Sequence, residues 1–217
     1  KEDHYQMIKK LELSYKDHKI LFKYCKKKKI DFLSTPYDVE SAKFLKKLGV
    51  KLFKTASADL IDYNLHKYLA KLKKPVIIST GMSTVNDVRR TINIYKKYKN
   101  LNISLLHCVS NYPCSLKSIN LKAIQLLKKF KFVVGYSDHS KDNLVSCLAV
   151  GIGSKIIEKH FTLNKNLKGP DHKASCDPKE LKNLINEIRK AELIMGKNTK
   201  KIQVEELEMS KISKKSL

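Results

Sequence analysis

The sequence predicts an α/β protein built on a parallel β-sheet, and three observations predict it. Six short segments rich in β-branched or aromatic residues recur roughly every 20 to 30 residues. Each gap between them holds one stretch with helical spacing. The segments have apolar cores rather than a strict in-out alternation, as strands covered on both faces do. Such a sheet either curls into a βα barrel or stays open and doubly wound. No G-x-G-x-x-G or G-x-x-x-x-G-K stretch follows any strand, which weakens the open, nucleotide-binding alternative. A closed barrel needs eight strands, and six are visible.

Taken in order, the first feature is helical: Ser14 opens "SYKDHKILFKYCKKKK" with Asp17 three residues on, a capping-box arrangement. "DFLSTPY" at 31–37 reads as the first strand, followed by a helix from Val39 to Leu48 that stops before Gly49. "LFKTAS" at 52–57 and "PVIISTG" at 75–81 read as the next two strands. After them comes a helix from Val85 to Tyr98 with Ser83 and Thr84 as N-cap candidates. "ISLLHCVS" at 103–110, "FVVGYSD" at 132–138 and "KIIEKHFT" at 155–162 complete the set, with a helix-like run from Asn143 to Val150 before the last. Residues 1–197 are therefore expected to form one partial barrel domain. The polar tail, 198–217, reads as a linker.

Composition bounds the function classes. With 217 residues, 42% hydrophobic and 30% charged, the chain can bury one substantial core as a soluble protein. Its apolar runs are far too short to span a bilayer, so no membrane partner is expected. "KEDHYQMIKK" lacks the apolar run of a signal peptide, which makes the cytoplasm the expected location. Five cysteines form no C-x-x-C pair, so neither a disulfide framework nor a cysteine zinc site is expected. The net charge of +24 invites a nucleic-acid reading. Against it, 42 of the 45 basic residues are lysines, and these lie on the polar sides of nearly every amphipathic segment. Solvated helix faces account for them better, and no nucleic-acid partner is expected.

The strand ends carry the chemistry. Five of the six finish in hydroxyls: Ser34 and Thr35, Thr55 and Ser57, Ser79 and Thr80, Ser110, and Ser137, with Lys54 among them. Catalytic groups of parallel barrels gather at this end of the strands. Short hydroxyls and backbone N–H groups around one ammonium would receive a phosphate or a carboxylate. Each hydroxyl could instead merely cap the helix that follows it. His139 and His160 end successive strands, where their imidazoles could converge on one divalent metal and leave positions open for water and substrate. Asp138 or Glu158 could orient one of them. His107 and His172 are rival ligands, and spacing alone does not choose among these.

"FLSTP", "FKTAS-AD", "PVIISTGM", "LLHCVSNYP", "GYSDHS", "EKHFTL" and "KGPDHKAS", in this order and spacing, resemble the barrel of the sialic acid synthases, which make N-acetylneuraminate and related nonulosonates from phosphoenolpyruvate. The resemblance runs from about Ser14 to Gly196 and rests on seven separate motifs. It implies a (β/α)8 TIM-barrel type fold, of which the first two strands are not visible here. It implies a condensation in which the enol carbon of phosphoenolpyruvate attacks the aldehyde of an open-chain N-acylated hexosamine, water adds at the pyruvyl carbon, and phosphate leaves by C–O cleavage. Mn²⁺ or Mg²⁺ would polarise the aldehyde oxygen.

By the same matching, the metal-binding positions fall on His139 and His160. Phosphoenolpyruvate-binding positions fall on Thr35, Lys54, Ser57, Ser79, Ser110 and Ser137, and sugar-binding positions on Asp59, Tyr112 and Asp171. Asp171 would be the acid/base carboxylate, and Lys54 the charge that neutralises phosphate and carboxylate. Asp59 stands where many members carry Glu, and Ser110 where some carry Asn, which bears on substrate identity. The family's first-strand glutamate, its "K-F-Q" strand and its C-terminal antifreeze-like domain have no counterpart in these residues. The chain alone is therefore expected to be poorly active, and the full-length form to be a homodimer. Two other classes remain: a barrel aldolase forming a Schiff base on Lys54, and a basic nucleic-acid-binding domain.

Overall fold

The structure, a computed structural model, describes residues 4–215. Its five strands are β1 (Phe53–Thr55), β2 (Val76–Ser79), β3 (Ile103–Cys108), β4 (Val133–Asp138) and β5 (Ile156–Lys159). All neighbours pair parallel, in the order β1-β2-β3-β4-β5. That order never reverses, so right-handed crossovers carry every connecting helix to the same face. The result is a curled half-barrel rather than a doubly wound sheet.

The helices are α1 (His4–Leu11), α2 (Tyr15–Lys27), α3 (Val39–Leu48), α4 (Tyr63–Lys71), α5 (Val85–Lys97), α6 (Ala123–Lys128), α7 (Asn143–Gly151), α8 (Pro178–Met195) and α9 (Leu207–Ser213). Their ends are written locally. Ser14 and Asp17 close a capping box on α2, Thr84 and Asp87 one on α5, and Asp177 and Glu180 one on α8 beside Pro178. α3 ends at Gly49, whose φ of 96° is the left-handed conformation that glycine adopts without cost. α9 lies within the polar tail and is exposed. No helix among the described residues is long and apolar enough to cross a membrane.

Strand alternation sorts the sheet into two faces. Phe53, Val76, Ile78, Ile103, Leu105, Val134 and Tyr136 are buried against Leu45, Leu69, Ile92, Ile124 and Ala149 from α3 to α7. Their alternates, Lys54, Ile77, Ser79, Leu106, Cys108, Ser137 and Glu158, share the concave face, where cross-strand register sets Lys54 beside Ile77 and Cys108 beside Ser137. A hydrophobic outer layer therefore fixes an inner one that turns polar at the strand ends.

The 31–37 segment, expected as a sixth strand, is not one. Residues 31–36 run as irregular chain, and β1 pairs only with β2 among the described residues. Composition favours a strand there, but a strand exists only through ladder partners, and Pro36 has no N–H to give one. Side chains anchor the segment instead: Ser34 Oγ lies 3.1 Å from His18 Nε2, and Phe32 packs edge-on against Phe22.

α4 meets α5 through a fully buried histidine. His66 Nδ1 lies 2.9 Å from the Tyr95 hydroxyl, and burial lowers its pKa from 6.5 to about 4. The unfolded chain takes up a proton near 6.5 that the folded chain refuses. Stability from this group is thus complete above that value and is lost as pH falls toward 4, by about 3 kcal/mol in all. The urea midpoint of the wild type is expected to fall across that window more steeply than that of His66→Gln. Parallel profiles would refute the assignment.

Candidate active site

Lys54 is 8% exposed on the concave face, although it is a lysine in the middle of a strand. Its ammonium donates to Ser79 Oγ at 2.7 Å and to the Thr55 carbonyl at 2.9 Å, and lies 3.5 Å from the Glu158 carboxylate. Glu158 in turn accepts from the Ser137 hydroxyl at 2.6 Å. Strands β1, β2, β4 and β5 thus contribute to one charged network. The sequence offers Glu158 only as a partner for a histidine, and in the structure it serves Lys54 and Ser137 instead. Period-two spacing from His160 is the signal that puts it on this face.

A second cluster forms where the chain leaves β2. Ser57 Oγ accepts from the Gly81 N–H at 3.0 Å and lies 3.0 Å from Cys108 Sγ. A Cβ on Gly81 would stand 2.6 Å from Ser110 Oγ and 2.8 Å from both Cys108 Sγ and Ser57 Oγ. Only glycine lets these polar atoms close around the turn. Cys108, absent from the sequence-based set, lies two residues before Ser110 on the inner side of β3.

The two histidines meet. Their ring centroids are 5.4 Å apart, and Tyr112 packs 4.1 Å from the ring of His139 and 5.1 Å from that of His160. His139 Nδ1 lies 2.7 Å from the Val109 carbonyl, which can only accept, so Nδ1 carries the proton. Burial, with the Val109 hydrogen bond opposing it, moves the His139 pKa down and favours the neutral ring. Its Nε2 lies 3.4 Å from Ser137 Oγ, yet the single Ser137 proton is committed to Glu158. The Nε2 lone pair is left facing the mouth without a donor.

Asp171 comes to the same place, with Oδ2 3.8 Å from His160 Nδ1. Burial and the nearby charges of Cys108 and Asp171 push the Tyr112 phenol up to about 12. Asp59 Oδ2 is buried with no hydrogen-bond partner, and burial plus the Asp62 charge raise its pKa to about 6, against the pull of Lys54. Thr35 is half-buried and makes no side-chain hydrogen bond among the described residues.

The rival histidines are structural. His107 faces the helices and lies 2.7 Å from the Ile119 carbonyl, and His172 lies 2.7 Å from Thr162 Oγ1. Asp138, a candidate for orienting a histidine, points to the helix side and pairs with Lys159 at 2.9 Å. Strand parity turns it away from both rings.

A curled parallel sheet with a Lys54-centred polar network and two paired imidazoles at its C-terminal edge is the layout of a βα-barrel fold. The chain belongs to the NeuB family, whose sequence profile matches residues 1–200. It is 46% identical over its whole length to an N,N'-diacetyllegionaminic acid synthase from Campylobacter jejuni and covers 66% of that protein. A protein of the same name from Legionella pneumophila is 45% identical over 98% of the chain, which covers 61% of it. The chain therefore spans somewhat less than two thirds of these relatives. Among solved structures, an N-acetylneuraminic acid synthetase from Leptospira borgpetersenii in complex with citrate superposes with a TM-score of 0.90 at 38% identity, over 95% of this chain and 73% of that one.

Proposed function

We propose that this chain supplies the catalytic barrel of a phosphoenolpyruvate-dependent nonulosonate synthase. The observation that carries the reading is the adjacency of an anion network centred on Lys54 and an imidazole pair 5.4 Å apart on one concave face. Lys54, with the hydroxyls of Ser57, Ser79 and Ser110, would receive the phosphate and carboxylate of phosphoenolpyruvate, donating hydrogen bonds where charge grows on the departing phosphate, and Ser137 would line the same pocket with its proton on Glu158. Thr35 would join them from the 31–36 stretch. Asp59 and Tyr112 would hold the acceptor sugar. Asp171, beside His160, would move the proton at the acceptor oxygen.

The residues fit a divalent cation. The donorless Nε2 of His139 and the facing ring of His160 offer two borderline nitrogen ligands. His139 and His160 would hold Mn²⁺ or Mg²⁺, which when bound would polarise the acceptor aldehyde as a Lewis acid.

Of the three relatives named above, the two more similar in sequence, at 46% and 45% identity against 38%, carry the name of N,N'-diacetyllegionaminic acid, which favours a di-N-acetylated trideoxyhexose over N-acetylmannosamine as acceptor. A Schiff base on Lys54 is disfavoured because its nitrogen donates to Ser79 Oγ and the Thr55 carbonyl, which hold it as a hydrogen-bond donor rather than a nucleophile. The test uses the full-length product of the gene with phosphoenolpyruvate carrying ¹⁸O in the bridging position. With Mn²⁺ and the sugar, the label is expected in phosphate, together with a nine-carbon acid. Label in pyruvate, or no consumption of phosphoenolpyruvate with either sugar, overturns the reading.

A further inference from the structure

The last two rungs between β4 and β5 alternate faces, and the residues just beyond them continue the alternation. Ser137 and Glu158 are register partners on the concave side, joined at 2.6 Å. Asp138 and Lys159 are the next partners, joined at 2.9 Å on the helix side, with side chains 0% and 7% exposed. One residue further, His139 and His160 return to the concave side. The second rung is tied on every side. Asp138 accepts from the Ser140 N–H at 2.8 Å and from Ser146 Oγ of α7 at 2.6 Å, while Lys159 donates to the Ser140 carbonyl. None of these groups reaches the mouth.

A buried ion pair is a poor source of stability, because desolvating both charges costs about as much as their attraction returns. Its best-attested use is to fix register, and here register matters. A one-residue slip of β5 would turn His160 to the helix side and bring Lys159 into the mouth. The same pair also clamps Ser140, the residue directly after His139.

We propose that the buried Asp138–Lys159 pair is the positioning device that sets His139 against His160 and so fixes the spacing of the divalent-cation site. This inference rests on the proposed function, in which the two imidazoles act together. Asp138 and Lys159 touch neither substrate nor cation and act only through the histidines beside them.

The test replaces the pair by a neutral one, Asp138→Asn with Lys159→Met, which leaves no lone buried charge, and compares it with Lys159→Arg. Two readouts are taken on the whole chain: the Mn²⁺ dissociation constant from water-proton relaxation, and the ¹⁵N spectra of the histidine rings without metal. The neutral pair is expected to keep a cooperative urea transition but to bind Mn²⁺ about 10- to 100-fold more weakly. Its His139 and His160 ring signals should move while those of His107 stay, and Lys159→Arg should restore both readouts toward wild type. A wild-type Mn²⁺ constant with unmoved His139 and His160 signals, or a loss of stability alone, overturns the proposal. If the wild type binds no Mn²⁺, the cation reading fails by itself and the ring spectra decide the positioning role. If the neutral pair does not fold, Asp138→Glu, which shifts the carboxylate by one methylene, takes its place: weaker Mn²⁺ binding with moved ring signals supports the proposal, and wild-type values of both overturn it.

Discussion

Lys54→Met is expected to weaken phosphoenolpyruvate binding by about 100-fold in calorimetry. Hydrogen bonds to a charged group contribute up to about 3 kcal/mol, and each 1.4 kcal/mol is about a factor of ten. The variant should still fold. Glu158 loses its cation but is 41% exposed at the side chain, so water can solvate it and no buried charge is stranded. Lys54→Arg should not rescue binding, because a planar guanidinium cannot occupy the space of an ammonium held between Ser79 Oγ and the Thr55 carbonyl. Borohydride with pyruvate should leave Lys54 unlabelled, which separates anion binding from Schiff-base chemistry. Unchanged affinity in Lys54→Met would remove Lys54 from the binding site, and borohydride labelling would reinstate the aldolase alternative.

The parts of the fold legible in the sequence are those encoded locally. α3 occupies Val39–Leu48 as its spacing and Gly49 predict, and α2 and α5 start at the predicted Ser14 and Thr84 caps. A cap needs only residues within one turn of each other, so sequence suffices to place it. The 31–37 segment departs from expectation for the converse reason, since its β-rich composition is local but the partners that would make it a strand are not. At the site, strand-end position is enough to bring His139, His160, Lys54, Ser79 and Ser137 to one face. Facing is harder to read: Asp138 and Glu158 both flank histidines in sequence, but only Glu158 shares their parity. Counting in twos from each histidine separates the two. Cys108 and the polar cluster around Gly81 are not legible, because they depend on backbone approach between strands far apart in sequence.

Gly135→Ala is expected to cost about 1–3 kcal/mol of stability, the ordinary penalty for overfilling a packed interior, and to do so without any backbone strain at that residue. Gly135 lies in β4 on the concave side, where register sets it between Leu106 of β3 and Ile156 of β5. An added Cβ would stand 2.5 Å from the Ile156 carbonyl oxygen, 2.5 Å from Leu106 Cδ2 and 2.8 Å from Ile156 Cβ. A leucine methyl can swing aside, whereas a carbonyl in a strand moves only with its strand. Replacing glycine by alanine also restricts the unfolded chain, a gain of at most about 1 kcal/mol that offsets part of the clash. Relief must therefore come from separating β5 from β4, the two strands that carry His160 and His139. The urea midpoint should drop, and Leu106→Ala in the same chain should recover only part of the loss, since the carbonyl contact remains. Full recovery would show that the leucine alone sets the limit, and that the β4–β5 spacing tolerates a methyl group.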